Sequence, residues 1–462
     1  MSSHKNHFLI GPLWPLYART ALPIIFVMGM NGLLAVVDAL FLGHFVGPAA
    51  LAAVTLMFPP YMIVVALATL VSSGMSSILA RHLGAWRVVD AREVFVAAHG
   101  LALFLGAVLI VLFLLFGKDV VLMAAGGSEA LAEMGLTYLR ITVLAAPLIF
   151  VLSINSDALR NEGLVAFMAG MSLLVSVSNM VFNYILIGVL ELGVAGSAYG
   201  TALAQGFALA IILMFRAFGE TGLCLSSLLQ HSLCQGWSRI LVLGTPQSLN
   251  FAGFALGSSA VIVALQWVDT ASYDATVSAY GIVTRVITFA FLPLLGLAHA
   301  MQTITGNNFG AGHVQRCALS LKIAVVSSTL YCGVVQVGVS LYAAQIGAAF
   351  VTERAVIDEV ARLLPVFSAT FVVAGPLMMI AMHFQRIGEA KLAALLGLSK
   401  PYLVANPHTY VLAGSVGEFG IWLAAPLADI LLCALTGWVF FQLGRTGPLK
   451  GWLFPRILEV KK

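Results

Sequence analysis

Residues 16–45 read LYARTALPIIFVMGMNGLLAVVDALFLGHF. A helix needs about 20 consecutive apolar residues to cross a hydrocarbon core, and this run exceeds that with a single acid, Asp38. Its residues do not alternate polar with apolar, and they mix helix formers with Gly and Pro, so the run reads as a membrane-crossing helix and not as a barrel strand. Asp38 stands out within Leu33-Leu34-Ala35-Val36-Val37-Asp38-Ala39-Leu40-Phe41-Leu42, where no basic residue lies inside one helical turn. Placing a carboxylate at membrane depth costs about 2.5–3.5 kcal/mol or more. A residue kept there against that cost either lines a polar cavity, as a titratable or cation-binding group, or snorkels to the outer interface. Intramembrane acids mark ion pathways often enough to favour the first reading.

The pattern extends along the chain. Of 462 residues, 61% are apolar and 9% charged, with a mean hydropathy of +1.01, whereas soluble domains carry about 25% charged residues. Twelve apolar stretches qualify as spans, near 16–44, 50–79, 93–117, 134–158, 165–190, 194–216, 237–267, 278–305, 315–343, 363–384, 392–413 and 420–443. With the N-terminus inside, eighteen Lys and Arg fall on inner segments, against Lys118, Arg354 and Arg362 outside. The positive-inside bias therefore puts both termini in the cytoplasm. The first span is too long for the apolar region of a cleavable signal. Cys224, Cys234, Cys317, Cys332 and Cys433 lack C-x-x-C spacing and read as small packing residues.

The chain repeats itself. Adding 226 takes Ala53 to Ala279, Met75 to Met301, Gly84-Ala85 to Gly310-Ala311, Arg160 to Arg386 and Tyr184-Ile185-Leu186 to Tyr410-Val411-Leu412. Adding 227 takes Asn179 to Asn406 and Gly193 to Gly420. Each copy holds six spans, an even number, so the expected fold is all-α and integral to the membrane, with two six-helix lobes of the same orientation. The lobes are expected at 1–217 and 237–444, with a hydrophilic inner linker at 218–236 and a cytoplasmic tail at 445–462. Two such lobes around a polar crevice are a transporter's layout. A channel would need a ring of like groups or a filter loop, and neither is present.

Polar residues inside the spans are the candidate site. Asn179 and Asn183, at i and i+4 on the fifth span, share one helix face, and Thr201 adds a hydroxyl on the sixth. With Asp38 they compose a candidate cation or proton-coupling site, with Na⁺ at Asp38, Asn179 and Thr201 as the metal option. Helix–helix glue accounts for each amide taken alone. Asn31, Tyr138 and Asn155 are candidate cavity-lining groups. In the second half, Asp429 of the last span is expected to pair with Arg285 of the eighth, and His299 and His383 read as hydrogen-bonded core histidines. Pro23, Pro147, Pro246, Pro293, Pro376 and Pro407 lie in or near spans, where each permits a bend. No catalytic residue is assigned: there is no nucleophile–base pair, no metal-ligand spacing and no phosphate-binding glycine loop. Energy for transport must come from an ion gradient or from the substrate's own.

The segments Ala279-Tyr280-Gly281-Ile282-Val283-Thr284-Arg285, Pro293-Leu294-Leu295-Gly296-Leu297 and Gln302-Thr303-Ile304-Thr305-Gly306-Asn307-Asn308-Phe309-Gly310-Ala311 resemble the multidrug and toxic compound extrusion (MATE) transporters, in particular their DinF-like and MepA-like bacterial branch. Leu159-Arg160-Asn161-Glu162-Gly163, Phe384-Gln385-Arg386-Ile387-Gly388-Glu389 and Gly420-Ile421-Trp422-Leu423-Ala424-Ala425-Pro426-Leu427-Ala428-Asp429 fit the same branch. The resemblance covers all twelve spans. It implies an antiporter in the bacterial cytoplasmic membrane that expels amphipathic, often cationic, drugs in exchange for H⁺ or Na⁺. It further implies a monomer that needs no cofactor and binds no nucleic acid, with the lipid bilayer as its surroundings. By motif position Asp38 matches the family's coupling aspartate, and Asn179 and Thr201 match polar members of its site. The chain departs from relatives that carry a second acid where Asn183 stands. It also departs from those with acids in the seventh and tenth spans, since neither 237–267 nor 363–384 holds an Asp or Glu. Both departures lower the charge of the site and favour H⁺. A lipid-linked saccharide flippase of the same superfamily is the alternative. It would call for basic cavity residues, for which only Arg140 and Arg285 qualify. A major-facilitator carrier would need a Gly/Asp/Arg-rich turn where Arg81-His82-Leu83-Gly84-Ala85-Trp86-Arg87 stands.

Overall fold

The computed structural model describes residues 6–125, 128–219, 221–268 and 273–446, and these contain helices and no strand. Among the described residues nine helices are long and apolar enough to cross a membrane, and two bent pairs raise the number to eleven. In chain order the spans are α1 (Leu13–Phe41), α2 (Phe58–Gly84), α3 (Val88–Ala124), α4 (Glu129–Leu144 with Ala146–Asn161), α5 (Val165–Asn183), α6 (Gly193–Phe218), α7 (Trp237–Trp267), α8 (Tyr273–Gly310), α9 (Val314–Leu341), α10 (Arg354–Phe367 with Phe371–Ile387) and α12 (Glu418–Thr446). The remaining span, α11, runs as Ala390–Leu398, a π-helical turn Ser399–Ala405 and Asn406–Val416. The chain is thus a multi-pass helical membrane protein with the twelve helices expected from its hydropathy. Most of the expected tail, and with it Lys450, Arg456, Lys461 and Lys462, lies outside the described residues, as do Lys5 and Glu220 of the linker.

The interruptions have chemical causes. The expected second span begins at 50, but the chain forms a separate short helix, Pro48–Leu56, before α2. Pro59 and Pro60 have no N–H to donate to the carbonyls of Thr55 and Leu56, so one helix cannot run through. Pro147 does the same at the 49° bend of α4. The 47° bend of α10 at Ser368–Thr370 is different. Here Gln336 of α9 replaces the missing backbone bonds: its Nε2 donates to Ala369 O and its Oε1 accepts from Val372 N, both at 2.8 Å. Pro23, Pro246 and Pro293 stay inside α1, α7 and α8.

Two compact units emerge: Leu22–Phe251 with Met1–Ile10, and Ala252–Lys462 with Gly11–Ala21. The helices α1 and α7 therefore each contribute residues to both. Within the first unit, the start of α7 lies backbone to backbone against α2. A Cβ on Gly74 would stand 2.0 Å from Ile240 O, and one on Gly244 1.9 Å from Leu70 O. Only glycine allows that approach. Within the second unit, Tyr17 Oη donates to Ser320 O at 2.8 Å.

Arg216, at the end of α6, is buried. Its Nε donates to Asn155 Oδ1 at 2.8 Å, its Nη1 donates to Leu223 O at 2.9 Å and meets Glu162 Oε2 at 3.0 Å, and its guanidinium lies 4.8 Å over the Phe95 ring. Glu162 Oε1 in turn accepts from Leu223 N at 3.2 Å, which fastens the linker backbone to this unit. Removing one member of such a pair leaves a buried charge without a partner. Arg216→Leu is expected to destabilise the protein by about 3–5 kcal/mol, with part recovered by adding Glu162→Gln. Thermal unfolding in detergent checks both variants.

Candidate coupling site

The end of α1 brings Asp38 to one end of a polar chain. Asn183 Nδ2 donates to Asp38 Oδ1 at 2.6 Å and to Asn179 Oδ1 at 3.0 Å, and Asn179 Nδ2 donates to Thr201 Oγ1 at 2.9 Å. Asp38, Asn183, Asn179 and Thr201, from three helices, thus form one continuous hydrogen-bonded line. Both asparagines are fully buried, and Asp38 is half-buried. Tyr61 of α2 and Tyr138 of α4 stand within electrostatic reach of the Asp38 charge. Among the described residues no Lys, Arg or His pairs with Asp38.

The local sequence explains how the line assembles. Asn179 and Asn183 close α5 on one face, just before the π-helical turn Tyr184–Val189. Gly196 and Gly200 of α6 are spaced as in a small-xxx-small contact. A Cβ on Gly196 would stand 3.1 Å from Leu186 O, and one on Gly200 2.0 Å from Asn183 Oδ1. Gly200 is therefore the floor under the Asn183 carboxamide. That oxygen has no hydrogen-bond donor among the described residues, which leaves it on the Gly200 Cα–H, a weak contact. The amide's donor side is what faces Asp38. A bound Na⁺ would need oxygens from the same amide, hence a turned side chain.

Of the other candidates, Tyr138 lies beside this line, whereas Asn31 is exposed, makes no side-chain hydrogen bond among the described residues and is not part of it. Asn155 is engaged inside the protein: it is fully buried, accepts from Arg216 and donates from Nδ2 to His99 Nε2 at 3.1 Å. Its position on a span made it resemble a lining residue, but its partner lies 61 residues away in the sequence.

Asp429 is paired, though not with Arg285. Lys400 Nζ, on the π-helical turn of α11, donates to Asp429 Oδ1 at 2.5 Å, and Thr370 Oγ1, at the bend of α10, donates to Oδ2 at 2.8 Å. Arg285 is exposed. The irregular turn of α11 and the bend of α10 carry these two donors to the acid on α12, which regular helices drawn from the sequence do not anticipate. Lys400→Met is expected to cost about 1–3 kcal/mol, less than a fully buried pair because Lys400 is partly exposed. Adding Asp429→Asn is expected to return most of it, as read by thermal unfolding. His299 Nδ1 contacts Gln302 Oε1 at 3.0 Å. His383 is buried, yet neither ring nitrogen has a hydrogen-bond partner among the described residues.

Comparison with known proteins adds three findings. The family described as MatE matches twice, at residues 23–185 and 246–411, in step with the internal repeat. Among curated proteins, the chain is 22% identical over 425 residues to the "Probable multidrug resistance protein YoeA" of Bacillus subtilis, covering 90% of this chain and 91% of that protein. It is 22% identical over 442 residues to the "Multidrug export protein MepA" of Staphylococcus aureus, covering 95% and 96%. Among solved structures, the fold agrees with the "Outward-facing conformation of a multidrug resistance MATE family transporter of the MOP superfamily" at a TM-score of 0.86, with 24% identity over 96% of this chain and 98% of that one. A MOP superfamily transporter from Pyrococcus furiosus agrees at 0.87, with 23% identity and the same coverage.

Proposed function

The chain belongs to the MatE family of transporters, and from that premise we propose that it is a multidrug efflux antiporter, exporting amphipathic organic compounds, cationic ones among them, in exchange for a proton. It works in the bacterial cytoplasmic membrane with both termini inside. The observation that carries this reading is an intramembrane carboxylate, Asp38, free of any basic partner among the described residues and held by Asn183. Such a group has two ways to lose its charge problem: it binds an organic cation or it takes up a proton. The two exclude each other, and that exclusion is the exchange.

The cycle follows from electrostatics. Facing outward, Asp38 accepts a proton, the attraction for the bound cation disappears, and the drug leaves. The neutral carboxyl no longer has to be kept solvated, so α1 repacks against α5 and α6, and the halves rock to open inward. The proton departs to the cytoplasm, and the restored carboxylate draws in the next cation. Sharing of the Asn183 donors between Asp38 and Asn179 gives the carboxyl and carboxylate forms different hydrogen-bond geometries, so the protonation state reaches Thr201 of α6.

Purified protein in vesicles, loaded with a fluorescent organic cation, tests this against a pH step and, separately, a Na⁺ step. The proposal expects exchange driven by the pH step. Exchange driven by Na⁺ alone would move the coupling to that ion, and exchange with neither would overturn the antiporter reading.

A further inference from the structure

Among the described residues four helices end in the same left-handed turn, and one of the four breaks the rule that governs it. The residue with positive φ is Gly163 after α4 (+88°), Gly312 after α8 (+74°) and Gly388 after α10 (+93°), but Trp86 after α2 (+60°). The backbone bonds are the same. Trp86 N donates to Leu83 O at 3.3 Å and Arg87 N to His82 O at 2.9 Å, as Gly312 N donates to Phe309 O at 3.0 Å and His313 N to Asn308 O at 2.9 Å. A side chain is disfavoured at such a position. Trp86 is nevertheless there, and it is 60% exposed, beside Val89 at 58%.

Positive charge gathers around it. Arg81 is half-buried, with Nε donating to Ser77 O at 3.1 Å. Arg239 is exposed on the first turn of α7, next to Ile240, whose carbonyl packs on Gly74 two turns up α2 from Arg81. The two guanidinium groups are near enough to repel each other, and both act on His82. The acid that faces this group is Asp90, already engaged by His82 Nδ1 at 3.7 Å and Arg87 Nη1 at 3.8 Å. Neither Arg81 nor Arg239 has a carboxylate in ion-pair reach among the described residues.

The repeat supplies the contrast. Adding 226 pairs Arg81 with Asn307, His82 with Asn308 and Trp86 with Gly312. At that turn Asn308 Oδ1 accepts from Arg316 Nε at 2.8 Å, and Arg316 Nη1 donates to Gly11 O at 2.8 Å. The same turn therefore forms without a tryptophan or a repelling arginine pair. Trp86 and Arg81 are therefore additions peculiar to the first copy, made against strain and, with Arg239 of α7 nearby, against like-charge repulsion.

We propose that this end of α2, with the start of α7, holds the phosphodiester headgroup of an anionic phospholipid, with Arg81 and Arg239 on the phosphate and Trp86 at the boundary between headgroup and acyl chain. Paired guanidinium groups match phosphate oxygens. Indole rings settle at the membrane interface, and basic groups at helix ends take acidic headgroups. Arg87 adds attraction from the exposed side of the same turn. An anionic lipid also resolves the repulsion that the protein leaves uncompensated.

Native mass spectrometry of the delipidated full-length protein tests the site. It is titrated with phosphatidylglycerol, with phosphatidylcholine as headgroup control, and with inorganic phosphate as competitor. The wild type is expected to prefer phosphatidylglycerol, by a margin that shrinks as salt rises. Arg239→Gln, an exposed change that spares the fold, is expected to lose about fivefold of that preference, and Arg81→Gln with Arg239→Gln about twentyfold. Trp86→Gly is expected to weaken retention of both lipids while raising the unfolding temperature, because the turn relaxes. Equal binding of the two lipids by the wild type would overturn the proposal. So would a preference undiminished by Arg81→Gln with Arg239→Gln, or displacement of the lipid by inorganic phosphate at equal concentration.

Discussion

Asp38→Asn is expected to insert and fold like the wild type and to lose drug-driven exchange altogether. The carboxamide has nearly the carboxylate's shape, and its oxygen still accepts from Asn183 Nδ2, now 2.6 Å from Asp38 Oδ1, so the line through Asn179 to Thr201 survives. What disappears is the ability to carry either a charge or a proton. In the wild type, acidification fills the carboxylate with a proton, so affinity for an organic cation falls as pH falls and recovers as pH rises. Couplings of this kind amount to about 5–150-fold in affinity. In Asp38→Asn the affinity is expected to be flat with pH and fixed at the weak end. Equilibrium binding of a fluorescent cation at a series of pH values measures this directly. Cells expressing the variant are expected to be as drug-sensitive as cells without the protein. A pH-dependent affinity in the variant would move the coupling group elsewhere.

Gly200→Ala is expected to disable the same exchange without touching any titratable group. The added Cβ would fall 2.0 Å from Asn183 Oδ1 and 3.3 Å from Asn183 N. The carboxamide must move, and with it go its hydrogen bonds to Asp38 and Asn179. Overpacking of this kind costs about 1–3 kcal/mol, and each lost hydrogen bond about 0.5–1.5 kcal/mol. The variant should therefore unfold at a lower temperature and transport poorly even at saturating drug. Gly170→Ala on α5 is the control, since a Cβ there meets nothing within 4 Å, and it should be nearly silent. Thermal unfolding and vesicle exchange on both variants separate a loss of the site from a general weakening of the helix pair. Full exchange in a folded Gly200→Ala protein would show that the position of Asn183 does not matter.

The parts of this molecule visible in the sequence are those whose signal is local. A lone acid in an apolar run, two amides four residues apart and a hydroxyl on the following helix are each legible from spacing, and the structure joins them. Twelve apolar runs and a constant offset between the halves convey the helices and the repeat. What escaped were pairings across sequence distance and through irregular backbone. Lys400 counts as an inner-face charge when only the loop bias is considered, yet a π-helical turn takes it to Asp429. Arg216 likewise looks like a charge at a helix end, until Asn155 and Glu162 close around it. Gln336 carries no pattern that announces its role in bridging the bend of α10, 33 to 36 residues onward. Gly200 was one glycine among 44 in the chain. Its meaning depends on where α5 aims the Asn183 side chain, and no periodicity encodes that.

Proton release on drug binding tests the central claim most directly. Purified protein in weakly buffered detergent solution is mixed with a saturating organic cation while a pH indicator is followed. If cation and proton compete for one carboxylate, the protonated wild type should release about one proton per bound cation, and Asp38→Asn should release none. Binding of the cation with no proton released by the wild type, or equal release by wild type and variant, would contradict it.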